Sequence, residues 1–221
     1  MDCMEYMRQF PDKHFELAVV DPPYGIGFDG QKRSTGSHGG RKQHTRKDWD
    51  KMPPSSTYFN ELYRVARNQI IWGANYFPEN IKPSMGWIFW DKGQRICNSD
   101  GELAYTSFKR ALRVAEYNRV ELFKEGTIHP TQKPIALYKL IFENYAQHGW
   151  KILDTHLGSG SSRIAAWDMG LDFYATELDP DYFEAMEKRF QAHIARPQLF
   201  APSEQYQFKQ ASIFDAENLG I

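Results

Sequence analysis

The chain has 221 residues, a net charge of −1, 41% hydrophobic and 25% charged residues, the balance of one compact domain rather than of a disordered or fibrous protein. No apolar run reaches membrane-spanning length, and the opening "MDCMEYMRQF" lacks the basic and apolar regions of a secretory signal, so a cytoplasmic protein without membrane contact is expected. Cys3 and Cys97 make neither a metal-ligand spacing nor a disulfide framework, so no metal is expected.

A short helix is expected around Met4–Gln9 and a buried strand over 15–20, "FELAVV". That strand runs into Asp21-Pro22-Pro23-Tyr24. The two prolines remove two backbone donors and fix two φ angles, so the strand stops there. Asp21, preceding a proline, is held extended. The corner presents a carboxylate, a carbonyl and an aromatic face. By itself it reads equally well as a strand stop with a turn aspartate.

Next comes "GQKRSTGSHGGRKQHTRK", residues 30–47, with four glycines and no acid. Lys32, Arg33, Arg41, Lys42, Arg46 and Lys47 make it basic. Its composition predicts a mobile loop, and its place beside the acidic corner points to phosphate contacts, the bland alternative being a solvated linker. A helix over 57–66, a strand over 68–74 and a strand over 86–90 follow, while "GELAYTSFKR" fits helix or strand. Residues 134–147 have apolar positions at helical spacing, with Pro134 suited to a first turn. Then come strand "KILD", helix "SSRIAAWDMG", strand "DFYATEL" and a helix over 180–194. Alternating strands and helices predict an α/β fold, a mostly parallel sheet covered on both faces. In such sheets ligands gather at the carboxyl ends of the strands, so the Asp21 corner and "DTHLGSGSS" (154–162) share one rim.

The turn Gly158-Ser159-Gly160 lets backbone approach a ligand without a Cβ, and a helix starts just beyond it. Arg163 stands where a dinucleotide fingerprint wants its third glycine, and no Gly-Lys-Ser/Thr is present. Pyrophosphate binding is therefore disfavoured. The next strand ends at Glu177, an acid able to accept two ribose hydroxyls. A glycine turn with a ribose acid and no phosphate machinery suits S-adenosylmethionine. A plain β–α turn with a surface glutamate is the alternative.

Asp21-Pro22-Pro23-Tyr24, "HPTQKP" at 129–134 and "DTHLGSG" at 154–160, in that order, resemble the amino-group DNA methyltransferases of the β arrangement, in which the catalytic half precedes the cofactor half. The resemblance is close over roughly residues 1–30 and 127–190 and loose between them. It implies a Rossmann-like S-adenosylmethionine-dependent methyltransferase fold in permuted order. It divides the single domain into a catalytic half (1–90, with the basic loop at 30–50), a target-recognition segment (91–128), a cofactor half (129–195) and a tail (196–221).

By the same resemblance Asp21, Pro22, Pro23 and Tyr24 act on the target amine. His129, Thr131 and Lys133 lie toward the methionine end of the cofactor, Thr131 and Lys133 near its carboxylate. Asp154, Gly158, Ser159, Gly160, Ser161 and Glu177 line the rest, and Asp2 lies near the adenine ring. Thr155-His156 departs from the Pro-Phe of many members. The short stretch between the halves implies brief recognition of double-stranded DNA, or recognition shared across a homodimer. Adenine N6 is the favoured acceptor. Cytosine N4, RNA, a protein amide, or an inactive DNA- or cofactor-binding protein stay open.

Overall fold

The structure, a computed structural model, describes residues 1–29, 47–93, 99–118 and 126–196. Its centre is a seven-stranded sheet: β1 (Phe15–Val20), β2 (Ala66–Trp72), β3 (Trp87–Asp91), β4 (Gly101–Thr106), β5 (Arg113–Glu116), β6 (Lys151–Asp154) and β7 (Asp172–Ala175). The spatial order is β5-β3-β4-β2-β1-β6-β7. β1 pairs in parallel with β2 and β6, β6 with β7, and β3 with β5, while β4 runs antiparallel to both of its neighbours. The described helices are α1 (Cys3–Met7), α2 (Ser56–Val65), α3 (Ile135–Tyr145), α4 (Ser161–Asp168) and α5 (Pro180–Ile194).

The near-continuous apolar run of β1 is explained by burial on both faces. Side chains alternate across a strand. Leu17 and Val19 join Ile70, Trp72, Leu137, Ile141, Phe142 and Ala165 on the face covered by α3 and α4. Ala18 and Val20 join Ile71, Met7, Tyr58, Phe59 and Leu62 on the face covered by α1 and α2. Asp179 starts α5 by accepting from the N–H groups of Asp181 and Tyr182 at 2.9 and 3.1 Å, with Pro180 in the first turn.

"GELAYTSFKR" resolves as strand β4, and β5 answers to no expected element. Both lie in the segment expected to recognise the target and both pair within the central sheet. Pro134 sits at the N-cap of α3, one position before the first turn. Lys32, Arg33, Arg41, Lys42 and Arg46, with Cys97 and the 197–221 tail, fall outside the described residues. No described helix is long and apolar enough to cross a membrane.

Candidate active site

Because β1, β2, β3, β6 and β7 point the same way, the loops that follow them open on one rim. β4, running the other way, brings its first residues to that rim: Gly101 pairs with Asp91, and Glu102 with Trp90. A cleft of about 960 Å³ runs along it, within the usual size of a small-molecule site. Asp21, Pro22, Pro23 and Tyr24 line it together with His129, Thr131, Lys133, Gly158, Ser159, Ser161, Glu177 and Asp2. The two motif groups, far apart in sequence, thus face one space.

At the corner, Tyr24 donates its hydroxyl to Asp21 Oδ1 at 2.6 Å, and Lys133 Nζ donates to Oδ2 at 2.5 Å. Burial pushes the Asp21 carboxyl up, against the pull of the Lys133 ammonium. Lys133, expected from sequence near a cofactor carboxylate, lines the cleft and is paired with the Asp21 corner. Its ammonium also lies 3.0 Å from Glu102 Oε2, and Glu102 Oε1 meets Lys92 Nζ at 2.7 Å. Burial would raise the Glu102 carboxyl, yet the two ammonium groups outweigh it and hold it at about 2. Glu102 and Lys92 were not found from sequence, since "GELAYT" carries no period that marks its rim position.

The Tyr24 ring stacks on Tyr76 with centroids 4.9 Å apart and planes at 14°. Gly73, after β2 with φ +65°, admits the Tyr24 ring, which any Cβ there would strike.

At the other end, Gly158 (φ +52°) turns the β6 loop back, and a Cβ on it would touch only the His129 ring at 3.8 Å. Its glycine is demanded by the backbone and leaves room beside it. Gly160 (φ +73°) does a different job: it does not line the cleft, and a side chain there would strike Met186. Asp154 does not line the cleft either. Its carboxylate accepts from the Ser162 hydroxyl at 2.6 Å and the His156 N–H at 3.0 Å, which braces the loop, and burial pushes its pKa up to about 7.

Glu177 faces the cleft while accepting from the Gly158 N–H at 2.8 Å and the Asp179 N–H at 2.9 Å. Each oxygen keeps a second lone pair for a hydroxyl. Asp2 lines the cleft but spends one oxygen capping α1, accepting from Met4 and Glu5 at 2.9 and 3.1 Å. His156 also lines it; its imidazole meets the Thr155 hydroxyl at 2.9 Å and turns an edge to Tyr58, and burial lowers its pKa to about 4.

A third wall comes from the segment that follows the basic stretch. Asp50 accepts from the N–H groups of Gly25 and Phe28 at 2.8 and 2.7 Å, fixing the glycine turn beyond the corner. Trp49 stacks on His129 at 5.1 Å, and His129 meets Tyr182 at 4.4 Å. Lys47 reaches across to Asp179 at 2.7 Å and Asp181 at 2.6 Å. Its charge, expected from sequence to meet DNA phosphates, is paired there at the start of α5.

A family described as DNA methylase matches residues 78–188. The chain belongs to this family. The protein is a DNA methyltransferase. This DNA methylase is 24% identical over 236 residues to the type II methyltransferase M2.MboI of Moraxella bovis, covering 86% of this chain and 85% of that one. In fold it resembles the complex of M1.HpyAVI with SAM (TM-score 0.56, 19% identity, 86% of this chain and 96% of that one). It also resembles the cytosine-N4-specific PvuII DNA methyltransferase (TM-score 0.59, 11% identity, 97% and 91%). At these identities the structural likeness carries the fold alone.

Proposed function

We propose that this methylase transfers a methyl group to adenine N6 in double-stranded DNA, on a base swung out of the duplex into the Asp21 end of the cleft. The observation that carries this reading is the acidic corner on the cleft, where the Asp21 carboxylate lies beside an aromatic surface made by Tyr24 and Tyr76.

The exocyclic amine is a poor nucleophile because its lone pair is delocalised into the ring. The Asp21 carboxylate and the Pro22 carbonyl accept its two hydrogens and favour a pyramidal nitrogen whose lone pair is free. When bound, S-adenosylmethionine would supply an electrophilic methyl on a sulfonium, whose sulfur would keep the bonding pair as a neutral thioether. The nitrogen lone pair forms the new N–C bond, and one amine proton passes to Asp21 and then to water. Orientation supplies much of the rate. Glu177 takes the ribose hydroxyls, Gly158 and Ser159 let the cofactor lie against backbone, and His129 and Thr131 close its methionine end. Lys32, Arg33, Arg41, Lys42 and Arg46, outside the described residues, are read as phosphate contacts from their charge alone.

Adenine is favoured through Asp21 at the head of its motif, read by resemblance. The same two acceptors would serve cytosine N4, and the likeness to a cytosine-N4-specific enzyme keeps that second reading in play. Digesting DNA methylated by the purified protein to nucleosides, followed by mass spectrometry, tests both. N6-methyladenine is expected; N4-methylcytosine as the main product would overturn the base and keep the mechanism.

A further inference from the structure

Lys133, almost wholly buried at 3% exposure, sits between two carboxylates that come from different parts of the sheet rim. Asp21 follows β1, Glu102 begins β4, and Lys92 after β3 closes the row, so the charges alternate Asp21, Lys133, Glu102, Lys92. An ammonium has three N–H bonds. One reaches Asp21 Oδ2 at 2.5 Å, and the Tyr24 oxygen lies 3.4 Å away. Glu102 Oε2 is held at 3.0 Å by charge, without the angle of a hydrogen bond.

We propose that Glu102 is a positioning residue for methyl transfer: by sharing the Lys133 ammonium it stops that ammonium from neutralising Asp21, and so leaves the Asp21 carboxylate able to accept from the target amine. The proposal rests on the reading of Asp21 as amine acceptor given above. A cation fixed beside an acceptor orients it but also drains the negative charge the amine needs. With Asp21 alone, the short contact to Lys133 would bind the carboxylate too tightly. A second anion on the far side of the same ammonium, with Lys92 balancing it in turn, lets one buried lysine hold Asp21 in place while Asp21 keeps its basicity. The Lys133 ammonium lies 5.0 Å from the centre of the Trp72 ring, which walls it on that side.

Other ionisable groups also face Asp21. They are Tyr24 on its own corner, Tyr138 of α3, Tyr58 of α2 and Asp154 of β6. Burial keeps the three phenols protonated, and Asp154 is unchanged in every variant below, so differences between variants report the lysine–glutamate arrangement.

The test is single-turnover transfer of labelled methyl from S-adenosylmethionine to unmethylated genomic duplex DNA between pH 5 and 9, with cofactor affinity measured by calorimetry. For Glu102→Gln the rate at neutral pH should fall by about tenfold. Its acid limb should move to lower pH, because Lys133 then pairs with Asp21 alone, and cofactor affinity should stay within a few-fold. Glu102→Asp should recover part of the rate. Lys92→Met, which frees Glu102 to hold Lys133 more tightly, should move the acid limb the other way and serves if Glu102→Gln fails to fold. A parental rate and parental pH profile in Glu102→Gln, or limbs moving the same way in both variants, would overturn the proposal. Asp21→Ala run beside them separates the two ideas. If it stays active, the reading of Asp21 fails; if it is dead while Glu102→Gln is parental, only the role of Glu102 fails.

Discussion

Lys133 and Asp21 stand 112 residues apart in the chain and 2.5 Å apart in space. This contact joins the motif that opens α3 to the corner that ends β1, and it makes the acidic corner a charge-balanced unit.

Asp21→Ala should lose nearly all turnover while S-adenosylmethionine affinity stays within a few-fold. Lys133→Met should also keep cofactor affinity, since the ammonium faces Asp21 and Glu102. It should cost stability, about 3–5 kcal/mol, the usual penalty for breaking a buried ion pair. Calorimetry with chemical denaturation measures both; a large loss of cofactor affinity in Lys133→Met would return this lysine to the cofactor's carboxylate.

Glu177→Ala removes an acceptor from the cleft and two backbone hydrogen bonds, one from the Gly158 turn and one from Asp179 before α5. Cofactor binding should weaken at least about tenfold, 1.4 kcal/mol or more. Calorimetry showing unchanged affinity would move the ribose site elsewhere.

Lys47→Met releases the segment carrying Trp49 from Asp179 and Asp181. Because Trp49 stacks on His129 in the cleft wall, the cofactor dissociation constant should rise by about three- to tenfold, a loss on the order of 1 kcal/mol for a partly exposed pair. The salt dependence of DNA binding should keep its slope. A slope reduced by about 0.9 would instead assign Lys47 a phosphate contact.

Gly160→Ala places a Cβ at φ +73° against Met186. The left-handed backbone alone costs about 1–2 kcal/mol, and the displaced methionine adds to it. Thermal unfolding should show a clear drop in Tm, whereas Gly126→Ala, with nothing within 4 Å of its Cβ, should show only the backbone part.

The pH dependence of stability carries a further expectation. The His156 pKa falls from 6.5 to about 4 on folding, so its contribution is present above about 6.5 and is lost as the pH drops toward 4. Asp154 acts oppositely: its pKa rises from 3.8 to about 7, so the folded state loses stability as the pH climbs through that interval. The two offset each other between 4 and 6.5. In His156→Phe only the aspartate remains, so its Tm relative to the parent should decline steadily from pH 4 to 6.5. A constant difference would show that His156 titrates alike in the folded and unfolded chain.

The local sequence determined most elements and the two ends of the cleft. The doubled proline fixes the Asp21 corner, glycines fix the Gly158 turn, and apolar periodicity fixes α2, α3, α5 and β1, because each rests on dihedral preference or on burial of a face. Strand β5, only four residues long with an exposed outer edge, has too little pattern to be seen. Which atoms meet at the site was decided by the sheet. Glu102 reaches the active rim only because β4 runs against its neighbours, and a strand's direction depends on pairing across the sheet, not on its own residues. Lys133 turns to Asp21 for a related reason: a buried ammonium needs a carboxylate partner, and only the folded sheet says which carboxylates are within reach.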